Sequence, residues 1–105
     1  MKVLFDQGVP VPLRRYLLEH TIDTAYEKGW SALSNGVLLS AAEQAGYEVL
    51  VTTDQNLQYQ QNLHLRRLAI LVLSSTSWPQ IRLRTDDIRR TVDTMQAGEY
   101  RKILI

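Results

Sequence analysis

A chain of 105 residues, 45% of them hydrophobic and 22% charged, has the size and make-up of one globular domain with a single core. It contains no cysteine, which excludes disulfides and thiolate metal sites, and its histidines, His20 and His64, belong to unrelated segments, so a structural zinc site is not expected. The formal charge of +1 hides an asymmetry: residues 1–60 carry four basic side chains against seven acidic ones, whereas residues 61–105 carry eight against four.

Residues 2–5 read as a short buried strand ended by the polar turn Asp6-Gln7-Gly8. Pro10 and Pro12 suit the opening of a helix, whose first turn needs no proline donor, and the helix is expected to run to about Leu18 with Leu13 and Leu17 inward. A weaker, alternating strand follows over 21–26, then a loop over 29–34 anchored by Trp30 and Leu33. Ser34 or Asn35 can cap the next helix, in which Val37, Leu38, Ala41, Ala42 and Ala45 recur at helical spacing until Gly46. Residues 48–52 form an apolar strand of the kind buried on both faces. Asp54 then opens a short helix reaching about Leu63.

The run over 68–73, Leu-Ala-Ile-Leu-Val-Leu, is the strongest strand signal, followed by a polar loop or helix cap at 74–77. Thr85 caps a final helix carrying Ile88, Val92 and Met95 on one side and ended by Gly98; residues 100–105 close as a last strand. Strands alternating with helices at this spacing indicate parallel βαβ units in a single three-layer α/β/α domain over 1–105. The N-terminus does not read as a signal peptide, and no apolar run is long enough to span a bilayer, so the expected compartment is the cytoplasm, with no membrane partner.

In open parallel sheets, ligands gather beyond the carboxyl ends of the strands, where neighbouring connections diverge. Asp6 and Asp54 each follow a strand directly. Two carboxylates in one cleft offer hard oxygen ligands to Mg²⁺ or Mn²⁺, and a metal so placed polarises a phosphodiester and activates water. The bland alternative is that each Asp caps the element after its strand, which is common. No glycine-rich phosphate loop, serine elbow or other catalytic pattern competes. A receiver-like phosphatase would share the strand-end acids but lacks paired acids on the first turn. The late arginines read either as solvated helix faces or as a phosphate-gripping surface. Tyr59-Gln60-Gln61-Asn62 reads as a solvated helix or as a place where RNA bases stack. Trp30, Trp78 and Tyr59 are core anchors or, if exposed, marks of a homodimer interface.

Leu4-Phe5-Asp6-Gln7-Gly8-Val9-Pro10, Gly29-Trp30, Leu33-Ser34-Asn35-Gly36 and Thr52-Thr53-Asp54-Gln55-Asn56-Leu57 with Tyr59 to Leu63 resemble, in matching order, the DUF5615 group of PIN-like proteins, a set of predicted nucleases of toxin–antitoxin systems. The resemblance covers about residues 1–75. It implies a PIN-like sandwich with the first strand central, a Mg²⁺- or Mn²⁺-binding acidic cluster, an RNA substrate and a cognate antitoxin protein as partner. Carried over by position, Asp6 and Asp54 are the catalytic and metal-binding acids and Asn56 a further ligand. Asn35 and Glu43 are additional site candidates, and Arg14, Arg66 and Arg67 are candidate RNA contacts. Two departures stand out: Gly8 occupies a position where Asn is usual, and residues 34–36 lack an acid. The alternative expectation is therefore a catalytically inactive protein- or RNA-binding module on the same scaffold.

Overall fold

The computed structural model describes residues 1–57, 63 and 66–105. The residues Tyr59, Gln60, Gln61, Asn62 and His64, and most of the helix expected after Asp54, lie outside the described residues. The sheet consists of β1 (Lys2–Phe5), β2 (Thr21–Thr24), β3 (Val49–Thr52), β4 (Ala69–Leu73) and β5 (Tyr100–Ile103), in the order β2-β1-β3-β4-β5. Every neighbouring pair is parallel. β1 is interior, as expected, although β3 rather than β1 occupies the middle of the sheet.

Side-chain alternation sorts each strand into two faces. Val3, Phe5, Val49, Val51, Ala69, Leu71 and Leu73 face one side, where they meet Leu13, Leu17, Ile81, Ile88 and Val92. Leu4, Leu50, Ile70 and Val72 face the other and meet Leu38, Leu39 and Ala42. The first side is covered by a 3-10 helix (Val11–Tyr16), α2 (Trp78–Arg82) and α3 (Thr85–Thr94), and the second by α1 (Asn35–Gln44). Three layers result. β3 and β4 are buried along their whole length, which is why their sequences run apolar without alternation.

Three local differences from the sequence reading have physical causes. The helix expected over 10–18 is a 3-10 helix of six residues, because Pro10 and Pro12 have no N–H to donate and the chain closes i→i+3 bonds, such as Leu13 N–H to the Pro10 carbonyl at 3.1 Å. The serine-rich stretch over 74–77 is followed by α2, with Ser77 at the cap position that one reading of the stretch allowed; the helix itself, only five residues long, shows no long periodicity in the sequence. Thr85 is the first residue of α3 rather than its cap; Arg84 takes the cap position, and Asp86 and Asp87 supply the negative charge that a helix N-terminus favours. Gly46 ends α1 at φ +84°, in the left-handed region that favours glycine, whereas α3 stops earlier than expected, at Thr94 with Met95 extended, and Gly98 (φ +79°) serves the turn that leads into β5. Among the described residues, no helix is long and apolar enough to cross a membrane.

Candidate functional site

The strand order reverses between β1 and β3, which makes the carboxyl ends of these two strands the point where connections leave in opposite directions. Phe5 pairs with Val51, so Asp6 and Thr52 leave the sheet side by side, and the Asp6 N–H still reaches the Val51 carbonyl at 2.9 Å. Alternation then decides orientation. Asp6 is in phase with Leu4, and Thr52 and Asp54 are in phase with Leu50, so all three belong to the α1 side of the sheet.

Thr52 joins the two acids. Its hydroxyl, fully buried, donates to Asp6 Oδ2 at 2.8 Å and accepts from the Asp54 backbone N–H at 3.1 Å. The other Asp6 oxygen accepts the Gln7 N–H at 2.8 Å. Asp54 Oδ1 accepts the Asn56 N–H at 2.9 Å, a local Asx turn, while Oδ2 accepts the Asn35 side-chain amide at 2.9 Å. Asn35 is the first residue of α1, and the side chain of Ser34 before it makes no cap hydrogen bond. The start of α1 is thus tied to Asp54 rather than closed on itself. Each carboxylate is held by one local and one distant partner, so neither acid is a local cap alone.

Gly8 completes the turn for a steric reason. A Cβ there would lie 2.2 Å from Thr53 Oγ1, so any larger residue at position 8 would force the Thr53 side chain or the β1 turn to shift. The departure from Asn at position 8 is therefore built into the packing of Thr53.

The donor set suits a hard divalent cation. Two carboxylates project from residues tied to one hydroxyl, and each carboxylate keeps lone-pair capacity beyond the two hydrogen bonds it accepts. Magnesium is commonly held by one or two carboxylates, with waters and substrate phosphates filling the rest of its shell. A denser cage is not built here: among the described residues, no three His, Cys, Asp or Glu side chains converge.

The other candidates divide. Asn35 is at the site through its amide. Asn56 is there through its backbone N–H, with an exposed side chain. Glu43 is elsewhere: it accepts from Arg66 Nη1 at 2.7 Å and from the Arg67 N–H at 3.1 Å, beside the amino ends of the strands. Burial raises the pKa of Glu43, but the Arg66 and Arg67 hydrogen bonds and the Arg66 charge outweigh that and hold it below the usual carboxylate value. Arg66 also reaches Ser40 Oγ and the Gly36 carbonyl and so lies along α1, while Arg67 precedes β4 at the end opposite Asp6. Arg84, Arg89, Arg90 and Arg101 pair with Asp87, Asp86, Asp87 and Glu99 in exposed ion pairs.

Arg14 differs. It forms a two-pronged ion pair with Glu27, on the same cleft that Asp6 lines. The Arg14 guanidinium and then the Thr24 N–H hold the Glu27 carboxyl below its usual value. Trp30 packs against the α1-side core and Trp78 against the opposite one, so both anchor the domain. The residue the sequence reading missed is Thr52. Its signal was available: a hydroxyl in phase with Leu50 and Asp54, in a strand whose other positions are apolar.

Compared with family models, with curated proteins and with solved structures, the chain finds no match.

Proposed function

We propose that this chain is a divalent-metal-dependent endoribonuclease with Asp6 and Asp54 at its centre, acting as the toxin of a two-gene module paired with an antitoxin protein, as the resemblance to the DUF5615 PIN-like group implies. The observation that carries the reading is the coupling of both acids through the Thr52 hydroxyl on one face of the switch point. A bound Mg²⁺ or Mn²⁺ would supply charge neutralisation at a scissile phosphate and a water of lowered pKa. The chain's own part is positioning. Thr52 and the Gln7 N–H orient the Asp6 carboxylate, and Asn35 and the Asn56 N–H orient that of Asp54, so the two anions are held before any ligand arrives. Arg14 is the one predicted RNA contact that shares a cleft with Asp6.

A specific observation favours a second reading, a non-catalytic RNA- or protein-binding module: the described residues bring only two acids to the site. Calorimetric titration with Mn²⁺, alongside cleavage of single-stranded RNA, separates the two. The nuclease reading expects binding that is lost in both Asp6→Ala and Asp54→Ala, with cleavage lost in parallel. An unmutated protein that takes up no Mn²⁺ and cuts no RNA returns the binding module.

A further inference from the structure

Beside the acids, between the turn after β1 and the turn after β2, lies a cleft of about 350 Å³. Asp6 forms its border with the candidate site. Val9, Val11 and Tyr26 supply apolar walls, and the Arg14–Glu27 pair supplies a polar one. We propose that this cleft binds a single unpaired nucleobase of the RNA strand whose phosphate lies at Asp6 and Asp54, a proposal that rests on the nuclease reading for its choice of ligand.

Three features point to a base. The volume sits at the small end of ligand clefts, which run from about 300 to 1,000 Å³, and suits one heterocycle rather than a helix or a peptide. Tyr26 is 78% exposed and lines the cleft, and an exposed ring at a cleft mouth is a stacking platform for any base. The polar wall offers both kinds of partner: the guanidinium of Arg14 donates only, and the carboxylate of Glu27, kept ionised by Arg14, accepts only. A base edge, with carbonyl or ring-nitrogen acceptors next to N–H donors, matches such a wall, whereas an aliphatic side chain would leave it unmet.

The cleft's place in the fold gives it a role. Asp6 belongs to both the acid pair and the cleft wall, so a base seated against Val9 and Tyr26 would set which phosphate of the strand reaches the acids. Base binding would then govern where along a single strand the chain acts, and a duplex, whose bases are stacked inside, would be refused.

The test separates this cleft from the acid site. In EDTA, with the full chain carrying Asp54→Asn, guanosine, adenosine, cytidine and uridine are titrated while ¹H–¹⁵N amide shifts are followed. The expected result is saturable shifts with at least one nucleoside, centred on Gln7, Thr24 and Glu27. Tyr26→Ala should weaken that binding about tenfold, and Tyr26→Phe should keep it. Because Tyr26 is exposed, its truncation leaves the core intact. No saturable shift with any of the four, or unchanged binding in Tyr26→Ala, overturns the proposal. Nucleoside binding in a chain that takes up no Mn²⁺ would remove the nuclease reading and leave the cleft standing. Mn²⁺ uptake without nucleoside shifts would remove the cleft alone.

Discussion

Replacing Thr52 by valine keeps the shape of the side chain and deletes its hydroxyl. In the folded protein that hydroxyl makes two hydrogen bonds at a fully buried position, one to the Asp6 carboxylate at 2.8 Å and one from the Asp54 N–H at 3.1 Å. A hydrogen bond to a charged group contributes about 1.5–3 kcal/mol and a neutral one about 1 kcal/mol. Asp6 is only half-buried, so water replaces part of what it loses, and the added methyl returns about 0.8 kcal/mol of apolar burial. The expected net loss is about 1–3 kcal/mol, or roughly 4–20 °C in Tm for a domain of this size. Urea denaturation of Thr52→Val and Thr52→Ser would measure it, the serine variant keeping the hydroxyl and losing only a methyl. A double-mutant cycle with Asp6→Ala should return a coupling of about 1 kcal/mol or more. A valine variant as stable as the parent, or a coupling near zero, would refute Thr52 as the link between the acids.

Two further predictions concern the turn at Gly8 and the ion pair of Glu43 at the opposite end of the sheet. Gly8→Ala pushes a methyl against Thr53 Oγ1, costing about 1–3 kcal/mol in thermal denaturation, and the double variant Gly8→Ala/Thr53→Ala should recover most of it because the offending oxygen is gone. The Glu43–Arg66 pair should leave a pH signature. Since the folded Glu43 carboxyl titrates below its ordinary value of 4.5, its contribution is full above that pH and is lost as pH falls through the depressed value. Glu43→Gln should therefore cost about 1–2 kcal/mol at pH 7 and narrow its deficit against the parent in acid, as read from urea midpoints at pH 7, 5 and 3.

The parts of this fold most legible in the sequence are those governed by a local rule. The runs over 48–52 and 68–73 announce strands buried on both faces, and Gly46 announces a helix end, because each rests on burial or on backbone conformation; Gly98 announces a turn, but not the helix end, which comes at Thr94. The 3-10 helix was harder to read, since proline permits several openings and the tertiary packing of Leu13 and Leu17 selects among them. α2 was legible only through the cap alternative at 74–77, because five residues hold too little periodicity to mark the helix itself. At the site, strand ends located Asp6 and Asp54, but nothing local fixes their phase relative to each other. The register of Phe5 with Val51 does so, and that register belongs to the sheet. Glu43 failed as a site candidate for the same kind of reason: helical spacing places it on α1 but is silent about Arg66, which arrives from the far side of the chain and claims it.

The outermost strand has its own consequence. Among the described residues β5, like β2 at the opposite edge, pairs with one strand only, and along it Arg101 and Lys102 are exposed while Tyr100 and Ile103 are half-covered. Two such borders approaching each other would bring their Lys102 cations together, Arg101 being already paired with Glu99, which discourages molecules from extending the sheet from one to the next. Salt that shields those cations, or acetylation of Lys102, would lower the barrier, so crowded storage at high ionic strength is where chains of this protein should first begin to stick.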